Sequence, residues 1–352
     1  MRETKRGPIV QGDCGSSILR EYYSPMAGMH VAKDALRGET AAPSLVEALE
    51  KRLGLVHARQ RLGIEQEYEA RVFGHGTNFF HIENWRSGHA LMRGVLKATG
   101  LSWIGRRNAA NVRVRYNQVP AKNLPKAFSG YTILHISDLH VEISQDAMRR
   151  VETLIAPLDY DACVLTGDYR ALTIGPYDET VERMGILCSR LKQPIYGVLG
   201  NHDTIRMVPA LEDMGIRLLL NEADAIERDG EKIHVAGIDD AHYFRVDNME
   251  KAADGIPLED FSILLSHTPE VYRQAAHAGF DLMLSGHTHA GQICLPGQVP
   301  VKLNAVLPRR FGAGAWMHGM MHGYTSSGVG TSIVTARFNC PPEITLHRLE
   351  CE

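Results

Sequence analysis

Five short apolar runs in this chain end in side chains that bind metal ions. "YTILHIS" leads into Asp138-Leu139-His140, and "DACVLTG" into Asp168. "PIYGVLG" leads into Asn201-His202-Asp203, "FSILLS" into His267, and "FDLMLSG" into His287-Thr288-His289. Each run has the length and composition of a strand. Between them lie segments with helical periodicity: "QDAMRRVETLIAPL", "DETVERMGILCSRL" and "PEVYRQAAHAG". Strands that alternate with helices specify an α/β fold. In open α/β sheets, ligands bind outside the carboxyl ends of the strands. The five polar ends are therefore expected to meet on one rim.

The remaining runs add to this frame. "IRLLLN" reads as a strand, and "AIERDGEKIHVAGI" as a hairpin with Asp-Gly at its turn. The tail, "TSIVTARFNCPPEITLHRLE", reads as two more strands, so a mixed or second sheet is expected. Upstream, "SLVEALEKRLGLVHARQRLGIEQEYEARV" reads as one or two helices, with Ser44 as N-cap and Glu47 completing a capping box. The chain of 352 residues is thus expected to divide into a mainly helical extension, residues 1–108, and an α/β domain, residues 109–352.

A lone His-x-His is weak evidence for a metal, but here it belongs to a larger set. In extended chain, residues i and i+2 face the same side, so Asp138 with His140, and His287 with His289, can each aim at one point. The set has too many donors for a single four-coordinate zinc ion and contains no thiolate. Mixed nitrogen and oxygen ligation suits Mn, Fe, Co, Ni or Zn. A pair of such ions about 3.5–4 Å apart is an arrangement for hydrolysing phosphate esters.

The blocks "SDLH", "TGD", "LGNHD", "SHTPE" and "SGHTHAGQICLP", in this order, resemble the calcineurin-like metallophosphoesterases. "VRVRYNQVPAKNLPKAFSGYTILHISDLH" and the closing "PPEITL" resemble the YkuE/YaeI-like branch, and the resemblance covers about residues 110–350. It implies a two-sheet sandwich flanked by helices and a centre of two divalent metal ions, manganese foremost. By the same resemblance Asp138, His140, Asp168 and His289 hold the first ion, Asp168 bridges, and Asn201, His267 and His287 hold the second. His202 binds no metal; it faces the scissile phosphate and assists the leaving oxygen, while a metal-bridging hydroxide attacks phosphorus. The activity implied is hydrolysis of a phosphodiester or pyrophosphate on a small substrate. A lipid-linked sugar nucleotide, as in the related hydrolases of lipid A synthesis, is one reading, and a soluble nucleotide diester another. A membrane-surface scaffold with a structural metal site is the alternative of a different class.

Two departures stand out. Many relatives have a second Asp three residues after the bridging one, where it orients the histidine equivalent to His202; "GDYRALT" has Ala171 there. Asp203, Asp178 or Glu179 are the candidates to replace it. The branch also often has an N-terminal membrane segment, and no apolar run here reaches the roughly 18–20 residues that a spanning helix needs. Instead, residues 84–137 contain no Asp or Glu. In this stretch Trp85 and its neighbours share one helical face, and Arg86, Arg93 and Lys97 another. The bland reading is an amphipathic helix packed on its own domain; the sharper one is a basic helix resting on anionic lipid. A cytoplasmic protein is expected, either free or peripheral on the inner membrane face. The net charge of -3 excludes a general nucleic-acid binder, and no protein partner is inferable.

Other motifs carry less. Cys163 lies in an apolar run and reads as a buried reduced thiol. "HGMMH", His318 to His322, lacks the glutamate of a metalloprotease helix and reads as loop. Asp239-Asp240 reads as turn chemistry, and Tyr169 as packing. "LPRRFGAGAWMHG" places Arg309, Arg310 and Trp316 on an expected rim that grips a phosphate or an apolar substrate tail.

Overall fold

The computed structural model describes residues 44–73, 94, 96–332 and 334–352. Helix α1 (Leu45–Leu53) begins at the expected cap: Ser44 Oγ accepts from the Glu47 amide, and the Glu47 carboxylate accepts from the Ser44 amide. Gly54, at φ 89°, ends it, and α2 (Leu55–Phe73) follows at once. Helix α3 spans Leu101–Ala110. Among the described residues no helix is long and apolar enough to cross a membrane.

The strands form two large sheets. The first takes β1 (Arg113–Ala121), β2 (Thr132–Ile136), β3 (Ala162–Leu165), β4 (Ile195–Gly197), β5 (Ile216–Leu218) and, from the far end of the chain, β14 (Glu343–Cys351). Their order is β1-β14-β2-β3-β4-β5, parallel throughout except between β14 and β2. The second sheet takes β6 (Glu222–Arg228), β7 (Glu231–Gly237), β8 (Ser262–Leu265), β9 (Leu282–Ser285), β12 (Gly314–His318) and β13 (Met321–Thr325), in the order β12-β13-β9-β8-β7-β6. A small hairpin, β10 (Cys294–Leu295) with β11 (Val299–Pro300), stands apart.

Three apolar clusters make this a layered sandwich. Between the sheets, Ile133, Val164 and Val198 meet Val235, Ile263 and Leu284. On the outer face of the first sheet, α4 (Gln145–Ile155), α5 (Asp178–Cys188) and α6 (Val208–Asp213) cover Leu134, Leu165 and Leu218. On the outer face of the second, α7 (Met249–Ala253) and α8 (Tyr272–Ala278) cover Ala236, Leu264 and Met283. Strands β2, β3, β8 and β9 are thus covered on both faces, which explains their nearly unbroken apolar runs. Leu49, Leu53, Ala58 and Leu62 of α1 and α2 belong to the first of the outer clusters, so this cluster is continuous across residue 108.

Two local expectations differ from what is found. Among the described residues the tail contributes one strand, β14; 331–332 and 334–342 are irregular, with one bridge from Ile293 to Phe338. Pro341-Pro342 leaves consecutive positions without amide donors, so no ladder can run through them. "HGMMH" is not a loop: His318 pairs with Met321, and Met317 with His322, across a tight turn at Gly319 (φ 61°). Glycine at the first central position suits such two-residue hairpins. Cys163 is buried and free, as expected.

Candidate metal centre

The loops that follow β2, β3, β4, β8 and β9 come together. Asp138, His140 and His289 form one group of donors, and Asp168, His267 and His287 another; within each, one donor atom per residue lies within 4.8 Å of the others. Asn201 joins the second, its Oδ1 3.0 Å from His267 Nε2. Asp168 Oδ2 is 3.3 Å from His267 Nε2 and 3.8 Å from His140 Nε2, which puts it between the groups. All seven side chains are buried.

The backbone reaches this arrangement through unusual conformations. Asp138, His140, Asp168, His287 and His289 have φ of 51°, 41°, 56°, 70° and 48°. Left-handed conformations of this kind cost side-chain-bearing residues on the order of 1–3 kcal/mol and cluster at functional sites. Bonds between the loops hold them: the Asp138 amide donates to Gly167 O, the His140 amide to Asp168 O, and the His287 amide to the Asp138 carboxylate. Gly286 permits the closest approach, because an added Cβ would overlap Ser137 Oγ and Asp138 Oδ2. These conformations also correct the extended-chain reading of His-x-His. His287 and His289 are not on one face of an extended segment; they diverge, one to each group.

Asp203 organises the floor. Its carboxylate accepts from the amides of Asp168 and Gly200, both at 2.8 Å, and of Tyr169 and Arg170 at 2.9 and 3.3 Å. It ties the loop after β3 to the loop after β4, so it is not the partner of the His202 ring. That partner is Thr173, whose hydroxyl lies 3.0 Å from His202 Nδ1. Asp178 and Glu179 begin α5, and Glu179 pairs with Arg183. Behind the floor, the fully buried Arg61 of α2 binds Asp239, Glu65 and the Asp203 carbonyl. Asp239 is therefore an ion-pair residue, while Asp240 caps the turn at Tyr243 and Phe244. Tyr169 is packed in the core and donates to Val198 O.

The outer nitrogens of the imidazoles test whether the residues fit a cation. His140 Nδ1 faces Arg170 O at 2.7 Å, His267 Nδ1 faces Thr166 O at 2.8 Å, and His287 Nε2 faces Asn304 O at 2.8 Å. A carbonyl only accepts, so each of these nitrogens carries the proton and the other presents a lone pair inward. Inward lone pairs of His267 and His287 lie 3.1 Å apart, beside the carbonyl oxygen of Asn201. Acceptors so crowded require a positive charge among them. Where a proton supplies that charge it sits on His267, whose pKa burial lowers but the Asp168 and Asp138 carboxylates raise to about 10; a cation takes the place of that proton. Burial opposes ionisation of Asp168, but His267 and His202 hold it well below the usual carboxylate range. Burial, reinforced by neighbouring imidazoles, keeps His287 and His289 neutral. The donor set therefore fits two divalent cations. At His289, the buried Arg337 Nη2 lies 3.2 Å from Nδ1. Nη2 also donates to the nearer Gly330 and Ser327 carbonyls at 2.6 and 2.7 Å.

A cavity of about 230 Å³ opens beside the groups and is bounded by Asp168, His202, His287 and His289. Arg309, Arg310 and Trp316 are not among its described lining. Trp316 is a core residue, packed edge-on against Phe311 and donating to Thr325 Oγ1. Arg309 and Arg310 are exposed in a short turn, with Arg310 over the Phe311 ring. Trp85, Arg86 and Arg93 lie outside the described residues, and Lys97 is exposed. Sequence reasoning missed Thr173, Arg337 and His242, whose ring is 4.2 Å from that of His287 and whose Nδ1 is 2.6 Å from Glu270. None stands in a motif block, so no local pattern marked them.

A two-sheet sandwich that gathers two carboxylates, four imidazoles and an amide at its strand ends defines the class of metal-dependent phosphohydrolases. Residues 131–291 match the calcineurin-like phosphoesterase family. The chain is 30% identical over 249 residues to a transmembrane protein with metallophosphoesterase domain from Danio rerio, covering 65% of this chain and 55% of that one. It is 28% identical over 256 residues to the uncharacterized metallophosphoesterase YkoQ of Bacillus subtilis (strain 168), covering 69% and 92%. It is 26% identical over 232 residues to phosphodiesterase YaeI of Escherichia coli (strain K12), covering 62% and 82%. The chain thus spans little more than half of the fish relative.

Proposed function

We propose that this chain hydrolyses a phosphodiester or pyrophosphate bond at a centre of two divalent cations. Asp138, His140, Asp168 and His289 hold one cation; Asn201, His267 and His287 hold the other; Asp168 is shared. The observation that carries this reading is the convergence of five strand ends on two adjacent donor groups joined by Asp168 Oδ2. Manganese is the proposed metal, and Fe, Zn, Co and Ni suit the same donors. When bound, two such ions acidify water and offset charge on the phosphoryl oxygens.

The chain's own groups supply the rest. His202 Nε2 is 3.9 Å from Asp168 Oδ2 and its ring borders the cavity, where it can protonate the leaving oxygen. The Thr173 hydroxyl can accept from or donate to Nδ1, so it orients the ring without demanding the cationic form. Asp203 fixes the two loops that carry Asp168, Asn201 and His202, so the donors need no rearrangement when substrate binds. A lipid-linked sugar nucleotide is one proposed substrate of this kind, and a soluble nucleotide diester another.

Turnover of bis-p-nitrophenyl phosphate by manganese-loaded protein tests the reading. Asn201→Ala is expected to abolish it, and His202→Ala to lower kcat by about 10²–10⁴-fold while metal content is kept. If loaded protein cleaves no ester in a broad panel of mono-, di- and pyrophosphates, the scaffold reading replaces this one.

A membrane-surface setting is a second proposal. Residues 94–137 contain no Asp or Glu, and α3 exposes Leu101, Trp103 and Ile104 beside Arg106 and Arg107. Aliphatic and aromatic side chains interleaved with cations suit an anionic lipid interface.

A further inference from the structure

The cavity that borders the donor groups is walled elsewhere by Ile293, Val301 and Val334, with Lys302 beside them. Among its described lining residues there is no Phe, Tyr or Trp. Proteins that bind nucleobases usually stack them on aromatic rings, and the rings of the described lining are the imidazoles of His202, His287 and His289 at the donor end, away from this wall. It is instead aliphatic, and its polar groups are turned inward. Gln292 spends its amide on the Ser332 and Val334 carbonyls at 3.0 and 2.8 Å, and its oxygen accepts from the Ser332 amide at 2.8 Å. The Val301 amide donates to Ile293 O at 3.1 Å. These bonds clamp Ser332, Val334 and Val301 against the segment after His289 and leave side-chain methyl groups to line the space. The apolar surface continues outward: Val301 is 61% exposed, and Leu295 and Val299, paired across the β10–β11 hairpin, are 57% and 43% exposed. Apolar cavities of about 150 Å³ are known to take up benzene, so the roughly 230 Å³ here accommodates a short chain as well as the ester it hangs from.

We propose that the phosphodiester cleaved at this site carries an aliphatic ester group, and that Ile293, Val301 and Val334 receive it, with the hairpin supporting any longer chain. This rests on the phosphoesterase reading and narrows its substrate class. Lys302 faces the same cavity and supplies a cation for a phosphoryl oxygen that the donor groups do not engage.

The test uses the full chain loaded with manganese and a series of p-nitrophenyl phosphodiesters whose second ester group is methyl, butyl or hexyl. The leaving group is constant, so the chain length reports on binding alone. Burial of each methylene is expected to lower KM by about fourfold, the equivalent of about 0.8 kcal/mol, and at least tenfold in sum from methyl to butyl. The p-nitrophenyl ester of thymidine 5′-phosphate is expected to show a lower kcat/KM than the hexyl ester. Val301→Asp, at an exposed position, is expected to raise KM for the hexyl ester at least tenfold and erase the dependence on length. A KM that stays flat across the series, or preference for the thymidine ester, in protein that does cleave the methyl ester overturns the aliphatic wall and leaves the phosphoesterase reading standing. Failure to cleave any member removes both.

Discussion

Replacing Asp203 by Asn tests whether the floor of the site is organised as described. The carboxylate has no exposure and receives amides from Asp168 and Gly200 on one oxygen, and from Tyr169 and Arg170 on the other. Asn keeps one acceptor oxygen and places an NH₂ where two backbone N–H groups point. Two hydrogen bonds to a charged acceptor are lost, at about 1.5–3 kcal/mol each, so a loss of about 3–6 kcal/mol is expected. Typical domains have about 5–15 kcal/mol in hand, so most of the protein should stay folded. The same bonds support Asp168 in its left-handed conformation at φ 56°. A shift of about 1 Å in such a group can cost about 10²-fold in rate, and a fall in kcat of that size is expected. Urea unfolding gives the first number and turnover of bis-p-nitrophenyl phosphate the second. Leu218→Ala, fully buried on strand β5, serves as control. It should lose about 2–5 kcal/mol and retain kcat where folded. A stability change in Asp203→Asn under about 1 kcal/mol, or a loss of stability with kcat unchanged, refutes the reasoning.

Three further outcomes follow. Burial lowers the pKa of His135 from 6.5 to about 3, and His347, 3.2 Å away, is lowered as well. Unfolded imidazoles take up protons that the folded state refuses, so stability is intact above pH 6.5 and falls as pH drops toward 3, by about 1.4 kcal/mol per unit for each imidazole. Urea unfolding at pH 7 and pH 5 should show a shallower fall in His347→Gln than in wild type, and equal slopes contradict this. Gly286→Ala should displace Asp138 or Ser137 and lower kcat by about 10²-fold; wild-type kcat at saturating manganese tells against the close approach. Anionic vesicles should sediment the full chain, and Arg86→Glu with Arg93→Glu and Lys97→Glu, or Trp103→Glu with Arg107→Glu, should abolish this; unchanged sedimentation ends the membrane proposal.

The sheets and the donors were legible because both are written locally. A doubly covered strand needs an apolar run, and a donor at its end needs only the next one to three residues, so Asp138, Asp168, Asn201, His267 and His287 could each be read from their own block. What was not legible depends on distant partners. The Trp316 region reads as an exposed rim because its sequence has glycines, arginines and one large ring. Its burial follows from Gly323 across the hairpin, where an added Cβ would collide with the indole. Thr173 is one threonine in a loop until the β4 loop brings His202 to it. Arg61 and Glu65 stand in a stretch that reads only as helix, with nothing to mark either residue. Only the meeting with Asp239 and with the Thr204 hydroxyl and Ile205 amide makes them part of the interior. The His-x-His geometry failed for a related reason: both residues have positive φ, and the His287 amide is held by the Asp138 carboxylate, a distant partner that their own sequence does not reveal.

Anomalous diffraction from crystals grown with manganese tests the metal centre most directly, independently of any substrate. Two peaks are expected per chain, one within coordination distance of Asp138, His140 and His289 and one of Asn201, His267 and His287, with Asp168 reaching both. Asp168→Asn is expected to weaken both peaks together. A single peak, or density at neither group in manganese-saturated crystals, contradicts the shared centre on which the proposed hydrolysis depends.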